Sequence, residues 1–284
     1  MKNNTIENPT IVSPGKWLAA RREFLREEKE FSKLRDRLAA HRRALPWVKV
    51  DQPYVFRSSS GRVSLAELFE GRSQLIVYHF MLAPGWEEGC RGCSYVSDHF
   101  DGALPHLNAR GVSFTAVSCA PLEEIERFKA RMGWKFDWVS SHGTAFNRDF
   151  RVSFTAEEVE AGKGDYNFGL NAIGMDEMPG LSVFARCADG AVCRTYSTYS
   201  RGLDQLIGAY TAISGGRTLN HPEFPQQKLG RFLPRFALAG RNMNRFESLP
   251  ARCQRRVTSL IFYSVIHDLS NRCCAQCGGY RRLD

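Results

Sequence analysis

The stretch that decides the fold is LIVYHFM at residues 75–81, followed closely by GCRGC at residues 89–93. The first run is too short for a typical helix and is rich in β-branched and aromatic residues. It therefore predicts a strand buried on both faces, as in α/β sheets. The second run contains the pair Cys90 and Cys93, after which a helical stretch extends to about residue 108. This order predicts a thiol site where a buried strand ends and a helix begins.

The flanking segments continue the alternation of strands and helices. Residues 54–56 and 62–65 predict short strands, 112–118 a second buried strand and 121–132 a helix. Residues 181–186 should pair with residues 192–196 across a turn at 188–190, and residues 202–213 should close the unit as a helix. Such alternation predicts an α/β fold with a central mixed sheet flanked by helices and largely parallel at its centre.

Two further segments flank this domain. Residues 14–45 predict an amphipathic helix that starts at Ser13 and Pro14. We expect its apolar stripe to pack against the main domain; the stripe consists of Trp17, Leu18, Phe24, Leu25, Phe31, Leu34, Leu38 and Leu45. Residues 216–284 hold 12 Lys and Arg against 4 Asp and Glu, so most of the net charge of +9 lies there. The predicted division is an N-terminal segment at 1–45, a domain at 46–215 and a basic, cysteine-containing extension at 216–284.

The composition and the first residues of the chain indicate in which cellular compartment the protein is expected to lie. With 43% hydrophobic and 24% charged residues the chain has a globular composition. No secretory signal is evident near Met1, and no apolar run approaches the ~20 residues of a membrane span. We therefore expect a cytoplasmic protein that does not enter membranes. In a reducing compartment, close cysteine pairs are more often catalytic or metal-binding than structural. The isolated cysteines are expected to be small buried residues: Cys119, Cys187 and Cys193.

The spacing of Cys90 and Cys93 suits thiol–disulfide exchange. A helix N-terminus favours the thiolate of Cys90, the nucleophile, and Cys93 one turn later can resolve the mixed disulfide. Arg91 between them should stabilise the reduced form and make the pair more oxidising. This chemistry requires no cofactor. Two alternatives are a zinc half-site completed by His99 or His106 and a pair without chemistry.

The sequence resembles the thioredoxin-like bacterial proteins catalogued as a domain of unknown function and predicted to be dithiol–disulfide oxidoreductases, relatives of the AhpC/TSA-type and thioredoxin proteins. The resemblance covers residues 13–213 and rests on several matching stretches: WLAAR at 17–21, RALPWV at 43–48, QLIVYHFM at 74–81, WEEGC at 86–90, FDGALPHLN at 100–108, MGW at 132–134, WVSS at 138–141, PGLSVF at 179–184 and TYSTY at 195–199. It implies a thioredoxin-like fold in which a cis-proline, here Pro179, faces the active cysteines.

Departures from thioredoxins affect the expected proton path. Thioredoxins carry a tryptophan before the first cysteine and a buried acid on the preceding strand, whereas this chain has Gly89 and either Tyr78 or His79. His79 could shuttle protons, because its ordinary pKa lies near neutrality. The alternative is a hydrogen-bonded histidine of the core.

Two other classes of function remain open. A peroxiredoxin-like peroxidase would need a hydroxyl residue ahead of Cys90, but Pro84 is followed by GWEEG. An inert scaffold with a binding tail is the third class. In the extension at 216–284, arginines and phenylalanines could contact nucleic acid. Alternatively, Cys274 and Cys277 together with Cys253 or His267 could bind zinc. The favoured function is dithiol–disulfide oxidoreductase, with protein or small-molecule thiols and disulfides as partners.

Overall fold

The computed structural model describes residues 10–208. The predictions for residues 1–9, for the boundary near 215 and for the extension at 216–284 with its candidate zinc and nucleic-acid residues lie outside this range.

Ten strands and six α-helices make up the described part of the chain. The strands are β1 (Val48–Lys49), β2 (Val55–Ser58), β3 (Gly61–Ser64), β4 (Gln74–His79), β5 (Val112–Ser118), β6 (Asp137–Ser140), β7 (Lys163–Tyr166), β8 (Gly169–Ala172), β9 (Gly180–Arg186) and β10 (Val192–Tyr199). The helices are α1 (Pro14–Ala44), α2 (Arg91–Ser97), α3 (Leu104–Asn108), α4 (Leu122–Met132), α5 (Phe146–Asp149) and α6 (Ala156–Glu160). Short 3-10 turns lie at Glu67–Phe69 and Ser200–Leu206, so the described part of the helix predicted at 202–213 is a 3-10 turn instead.

The central sheet has eight strands in the order β1-β10-β9-β4-β5-β6-β2-β3. Strands β4, β5 and β6 are parallel, and β9, β10 and β1 continue from β4 in antiparallel pairing. The strands β2 and β3 form an antiparallel hairpin beside β6. Strands β7 and β8 form a separate two-stranded sheet. The predicted fold class, a thioredoxin-like α/β fold with a mixed central sheet and an N-terminal helix, is confirmed.

The core is divided between the two faces of this sheet. Because successive strand residues point to opposite faces, Ile76 and Tyr78 of β4 belong to the cluster that contains Cys93, whereas Leu75 and Val77 belong to the cluster that contains Phe146 and Phe150. We call these the cysteine cluster and the phenylalanine cluster. The apolar run of β4 is continuous because both faces are covered.

Helix α1 begins as predicted but does not pack as predicted. The Ser13 hydroxyl accepts a hydrogen bond from the Lys16 amide, and Pro14 occupies the first turn. None of the 31 described residues of α1 is buried. Near its C-terminal end the Arg42 guanidinium lies 5.7 Å from the ring centroid of Tyr196. The expectation that the stripe packs against the domain was wrong because helical periodicity identifies an apolar face without identifying what covers it.

The expectation for Cys187 and Cys193 was also wrong. These residues form a disulfide, with their Cα atoms 6.2 Å apart. They flank the turn between β9 and β10, where the Cys187 amide donates to the Ala191 carbonyl at 2.8 Å. The antiparallel pairing of β9 and β10 brings these two cysteines together across the turn, so they are not isolated residues.

Candidate active site

Cys90 and Cys93 lie at the carboxyl end of the buried strand β4. The Cys90 amide donates to the Met81 carbonyl at 3.1 Å, which ties the start of α2 to the residues that follow β4. The Cys90 carbonyl accepts hydrogen bonds from the Ser94 amide at 2.9 Å and the Ser94 hydroxyl at 3.0 Å. Both cysteines are free thiols, Cys90 half-buried and Cys93 buried. The first thiol is thus accessible to a partner and the second is covered.

Gly89 allows the loop to approach the core closely. A Cβ atom on Gly89 would lie 2.6 Å from Cε1 of Phe80 and 2.7 Å from Cε1 of Phe128. Both rings belong to the cysteine cluster. A side chain at this position would displace the rings, which explains why the tryptophan found in thioredoxins before the first cysteine has no counterpart here.

The environment of Cys90 favours its thiolate. The hydrogen bond from the Cys93 thiol is the largest cause that lowers the pKa of Cys90, to about 6. The backbone amides of Cys93 and Gly92 act in the same direction, while burial opposes them. The Cys90 Sγ atom accordingly lies over the first turn of α2, 3.7 Å from where a Cβ atom on Gly92 would be. Near neutral pH this thiol is largely ionised.

The second thiol has the opposite character. Cys93 is 2% exposed, and its burial, followed by the thiolate of Cys90, raises the pKa of Cys93 well above its usual value. The Tyr78 hydroxyl, which lies in the same buried cluster, opposes this rise. The pair therefore consists of an ionised, accessible sulfur and a protonated, buried one.

Tyr78 is the site residue that sequence reasoning set aside. Its ring is fully buried in the cysteine cluster, and its hydroxyl makes no hydrogen bond of normal geometry in the described part of the chain. Burial, and next to it the proximity of Cys93, raise the pKa of Tyr78. The alternation of side chains along β4 indicates that Tyr78 and His79 face opposite sides of the sheet. Which of the two sides carries the cysteine pair depends on the tertiary structure.

His79 lies away from the cysteine pair. Its ring is 1% exposed and stacks against Phe146 and Phe150 of the phenylalanine cluster, with centroids 5.6 and 5.4 Å away. Its Nε2 atom is 2.9 Å from the Ser182 hydroxyl. Burial lowers the pKa of His79 to about 3, so the ring is neutral. His79 is a hydrogen-bonded histidine of the core.

Pro179 precedes β9 as predicted, but its peptide bond is trans, since the described residues contain no cis peptide bond. The Pro179 carbonyl accepts a hydrogen bond from the Tyr166 hydroxyl at 2.7 Å, so this carbonyl is already engaged. Tyr166 also accepts a bond from the Ser200 amide at 2.9 Å. Burial is the largest cause that raises the pKa of Tyr166. Tyr166 thus holds the Pro179 carbonyl to the start of the 3-10 turn at Ser200, a connection that sequence spacing does not reveal.

Arg91 occupies the first position of α2 and is exposed. Its guanidinium is not among the groups that lower the pKa of Cys90. Its influence on the redox potential stays a prediction.

A third thiol lies beside a buried carboxylate at the end of β5. Cys119 is half-buried, and its Sγ atom donates to Glu177 Oε1 at 3.2 Å. Glu177 also accepts hydrogen bonds from the Ser153 hydroxyl and, at 3.3 Å, from the Asn147 amide. Burial raises the pKa of Glu177 to about 7 and that of Cys119 far above its usual range. Cys119 is therefore a hydrogen-bond donor to Glu177, and not the small apolar residue that was expected.

Within residues 10–208, no helix is long and apolar enough to cross a membrane. No group of three His, Cys, Asp or Glu side chains in this range converges as metal ligands would.

The family described as "Bacterial protein of unknown function (DUF899)" matches residues 6–221 of the chain. No curated protein matches the sequence.

Several solved structures are similar. The bacterioferritin comigratory protein of Xanthomonas campestris, studied for alkyl peroxide reduction, is 17% identical over 56% of this chain and 90% of its own, with a TM-score of 0.37. The peroxidoxin BcpB of Mycobacterium tuberculosis is 15% identical over 58% of this chain and 98% of its own, with a TM-score of 0.34. A thiol:disulfide interchange protein from Bacteroides sp. is 14% identical over 63% of this chain and 97% of its own, with a TM-score of 0.34. At such identities the role of a residue in these proteins does not transfer to this chain.

Proposed function

This chain belongs to the bacterial DUF899 family, and for it we propose thiol–disulfide exchange at Cys90 and Cys93. The observation that supports the proposal most is the contrast between the two thiols. The pKa of Cys90 is lowered to about 6, and that of the buried Cys93 is raised. Because the thiolate is the attacking species, this contrast supports the first attack by Cys90 and the resolving step by Cys93.

The proposed reaction has two steps. The Cys90 thiolate attacks one sulfur of a substrate disulfide, a Cys90–substrate disulfide forms, and the other substrate sulfur leaves as a thiolate that takes a proton from solvent. Cys93 then loses its proton and attacks Cys90 Sγ, which forms the Cys90–Cys93 disulfide and releases the second substrate thiolate. The substrate gains two electrons and the pair loses two. An external dithiol restores the pair, and the same steps in reverse oxidise a substrate dithiol.

Two neighbours would assist. Arg91, at the start of α2, is proposed to stabilise the reduced pair and so make it more oxidising. The segment at Pro179, which enters β9 next to the end of β4, is proposed to lie against the bound substrate chain. Measuring the equilibrium with glutathione in Arg91→Ala tests the first role, and an unchanged potential removes Arg91 from the mechanism.

The direct experiment follows reduction of insulin disulfides by the purified protein with dithiothreitol as the electron source. We expect Cys90→Ser to abolish the reaction and Cys93→Ser to accumulate a mixed disulfide detectable by mass. Cys119→Ser is the matched control and should retain the rate, because that thiol contacts Glu177. Full activity of Cys90→Ser would refute the proposal.

A thiol peroxidase is the second candidate, since an ionised Cys90 would also attack a peroxide. The absence of a Ser or Thr between Pro84 and Cys90 argues against it. Peroxide consumption by the reduced protein, compared with insulin reduction under the same conditions, separates the two activities. Protein or small-molecule thiols and disulfides are the proposed partners, and the cytoplasm is the proposed location.

A further inference from the structure

Helix α1 presents a long apolar side that its own domain leaves uncovered. The helix has 31 residues and is therefore about 46 Å long. Trp17 is 60% exposed, Phe24 54%, Phe31 65% and Leu38 46%, although all four are large apolar side chains. Isolated helices owe little stability to their own propensity, and most helices in proteins are stabilised by packing of an apolar face. Packing of this face against an element outside residues 10–208 would therefore stabilise the helix.

We propose that this element is the α1 helix of a second copy of the chain. Trp17, Phe24, Phe31 and Leu38 follow one another at intervals of seven residues within α1. On a straight helix a column repeated every seven residues drifts by about 20° per repeat, and a left-handed supercoil of two helices removes this drift and keeps the column at the contact. A second copy carries the same column, so the two columns can interdigitate about a two-fold axis.

The exposed area is of the size that such a dimer needs. Five large apolar side chains of α1 lie within about 100° of the helix circumference and are between 44% and 65% exposed: Trp17, Phe24, Phe31, Leu34 and Leu38. With roughly 200 Å² per side chain, this face offers on the order of 500 Å² of apolar surface. That lies at the upper end of the usual exposed patch of a monomer, roughly 300–600 Å², and the flanking side chains bring the contact toward the roughly 800 Å² that one partner buries in a stable interface.

The charges on α1 are mixed in sign, which favours a protein partner over a lipid surface. Residues 14–44 carry ten Lys and Arg and five Asp and Glu. Acidic and basic side chains pair within the helix: Arg21 with Glu28 at 2.7 Å, Lys33 with Glu30 at 2.7 Å, and Arg26 with Glu23. A membrane-surface helix instead presents a polar face dominated by Lys and Arg.

The test measures the mass of the full chain by light scattering and sedimentation equilibrium over a range of concentrations. We expect twice the chain mass for the wild-type protein. Phe24→Glu with Phe31→Glu should raise the dissociation constant roughly thirtyfold or more, because both substitutions lie at the centre of the column. Arg22→Ser with Lys29→Ser changes the net charge equally on the other side of the helix and should leave the dimer intact.

Loss of folding would not imitate the expected result, because α1 contributes no buried residue and the reactivity of Cys90 reports on the domain. A monomeric wild-type chain at tens of micromolar would overturn the proposal, as would an unchanged dimer in the double phenylalanine variant. A monomer that sediments with anionic phospholipid vesicles would identify a membrane surface as the occupant instead.

Discussion

The phenol of Tyr78 shares a buried cluster with the Cys93 thiol, and among the described residues its hydroxyl has no hydrogen-bond partner. A donor at this position stabilises the Cys93 thiolate that must form before the mixed disulfide is resolved. We expect Tyr78→Phe to slow that step roughly tenfold, the effect of losing one hydrogen bond to a charged group. The measurement is the single-turnover release of substrate from a preformed Cys90 mixed disulfide.

Tyr196→Phe is the control for this prediction, because its ring also packs against the cysteine cluster. The free energy of unfolding should change little in Tyr78→Phe, since no strong hydrogen bond is lost on the protein side. Equal release rates in Tyr78→Phe and the wild-type protein would exclude Tyr78 from the proton path.

Glu177 makes the stability depend on pH. Burial raises its pKa from 4.5 to about 7, so between these values the folded chain holds a proton that the unfolded chain has released. The stability contributed by this group is therefore fully present below pH 4.5 and is lost as the pH rises through 7. We expect Glu177→Gln to remove this dependence and to gain about 2 kcal/mol relative to wild type between pH 5 and pH 8.

Urea denaturation at several pH values measures the difference, with the exposed Glu126→Gln as the control. Parallel pH profiles for Glu177→Gln and the wild-type protein would show that Glu177 titrates normally in the folded state.

At the scale of elements, the disulfide in the β9–β10 hairpin should act on stability and leave exchange intact. Cys187 and Cys193 are separated by 6 residues, and closing a loop of this size contributes about 2 kcal/mol. The hairpin turn lies beyond Ala185, which pairs with Gln74 at the end of β4 remote from the cysteine pair. The double variant Cys187→Ser, Cys193→Ser should therefore unfold at a lower temperature with normal insulin reduction.

Added reductant provides the control for the hairpin prediction. It should lower the melting temperature of a Cys90→Ser, Cys93→Ser protein by the same amount and leave the hairpin variant unaffected. An identical melting temperature with and without the hairpin cysteines would contradict the prediction.

At the scale of the whole molecule, the residues proposed for exchange all lie between Tyr78 and Pro179, inside the described domain. A chain ending at Gly215 should therefore reduce insulin as fast as the full chain. Specific activity of the two chains at equal concentration is the measurement. A truncated chain that retains its circular dichroism but loses exchange would show that residues beyond 215 contribute to the reaction.

Several parts of the fold followed from the sequence, and others did not. The strand predicted at 112–118 and the helix predicted at 121–132 correspond to β5 and α4. The short elements β6, β7, β8, α5 and α6 were not predicted, because four or five residues carry too little periodicity. The α1 stripe was recognised, but its packing was misjudged. The expected cis bond at Pro179 was wrong, although the position before β9 was right.

By itself the sequence determined the order of the main strands and helices and the spacing of Cys90 and Cys93, because propensity, alternation and helical period are properties of neighbouring residues. Only the tertiary structure decided which side of β4 meets the thiols, and so distinguished Tyr78 from His79. It also brought Cys119 to Glu177, 58 residues away along the chain. Such contacts depend on which elements cover which face of the sheet, and that is set by packing across the whole core.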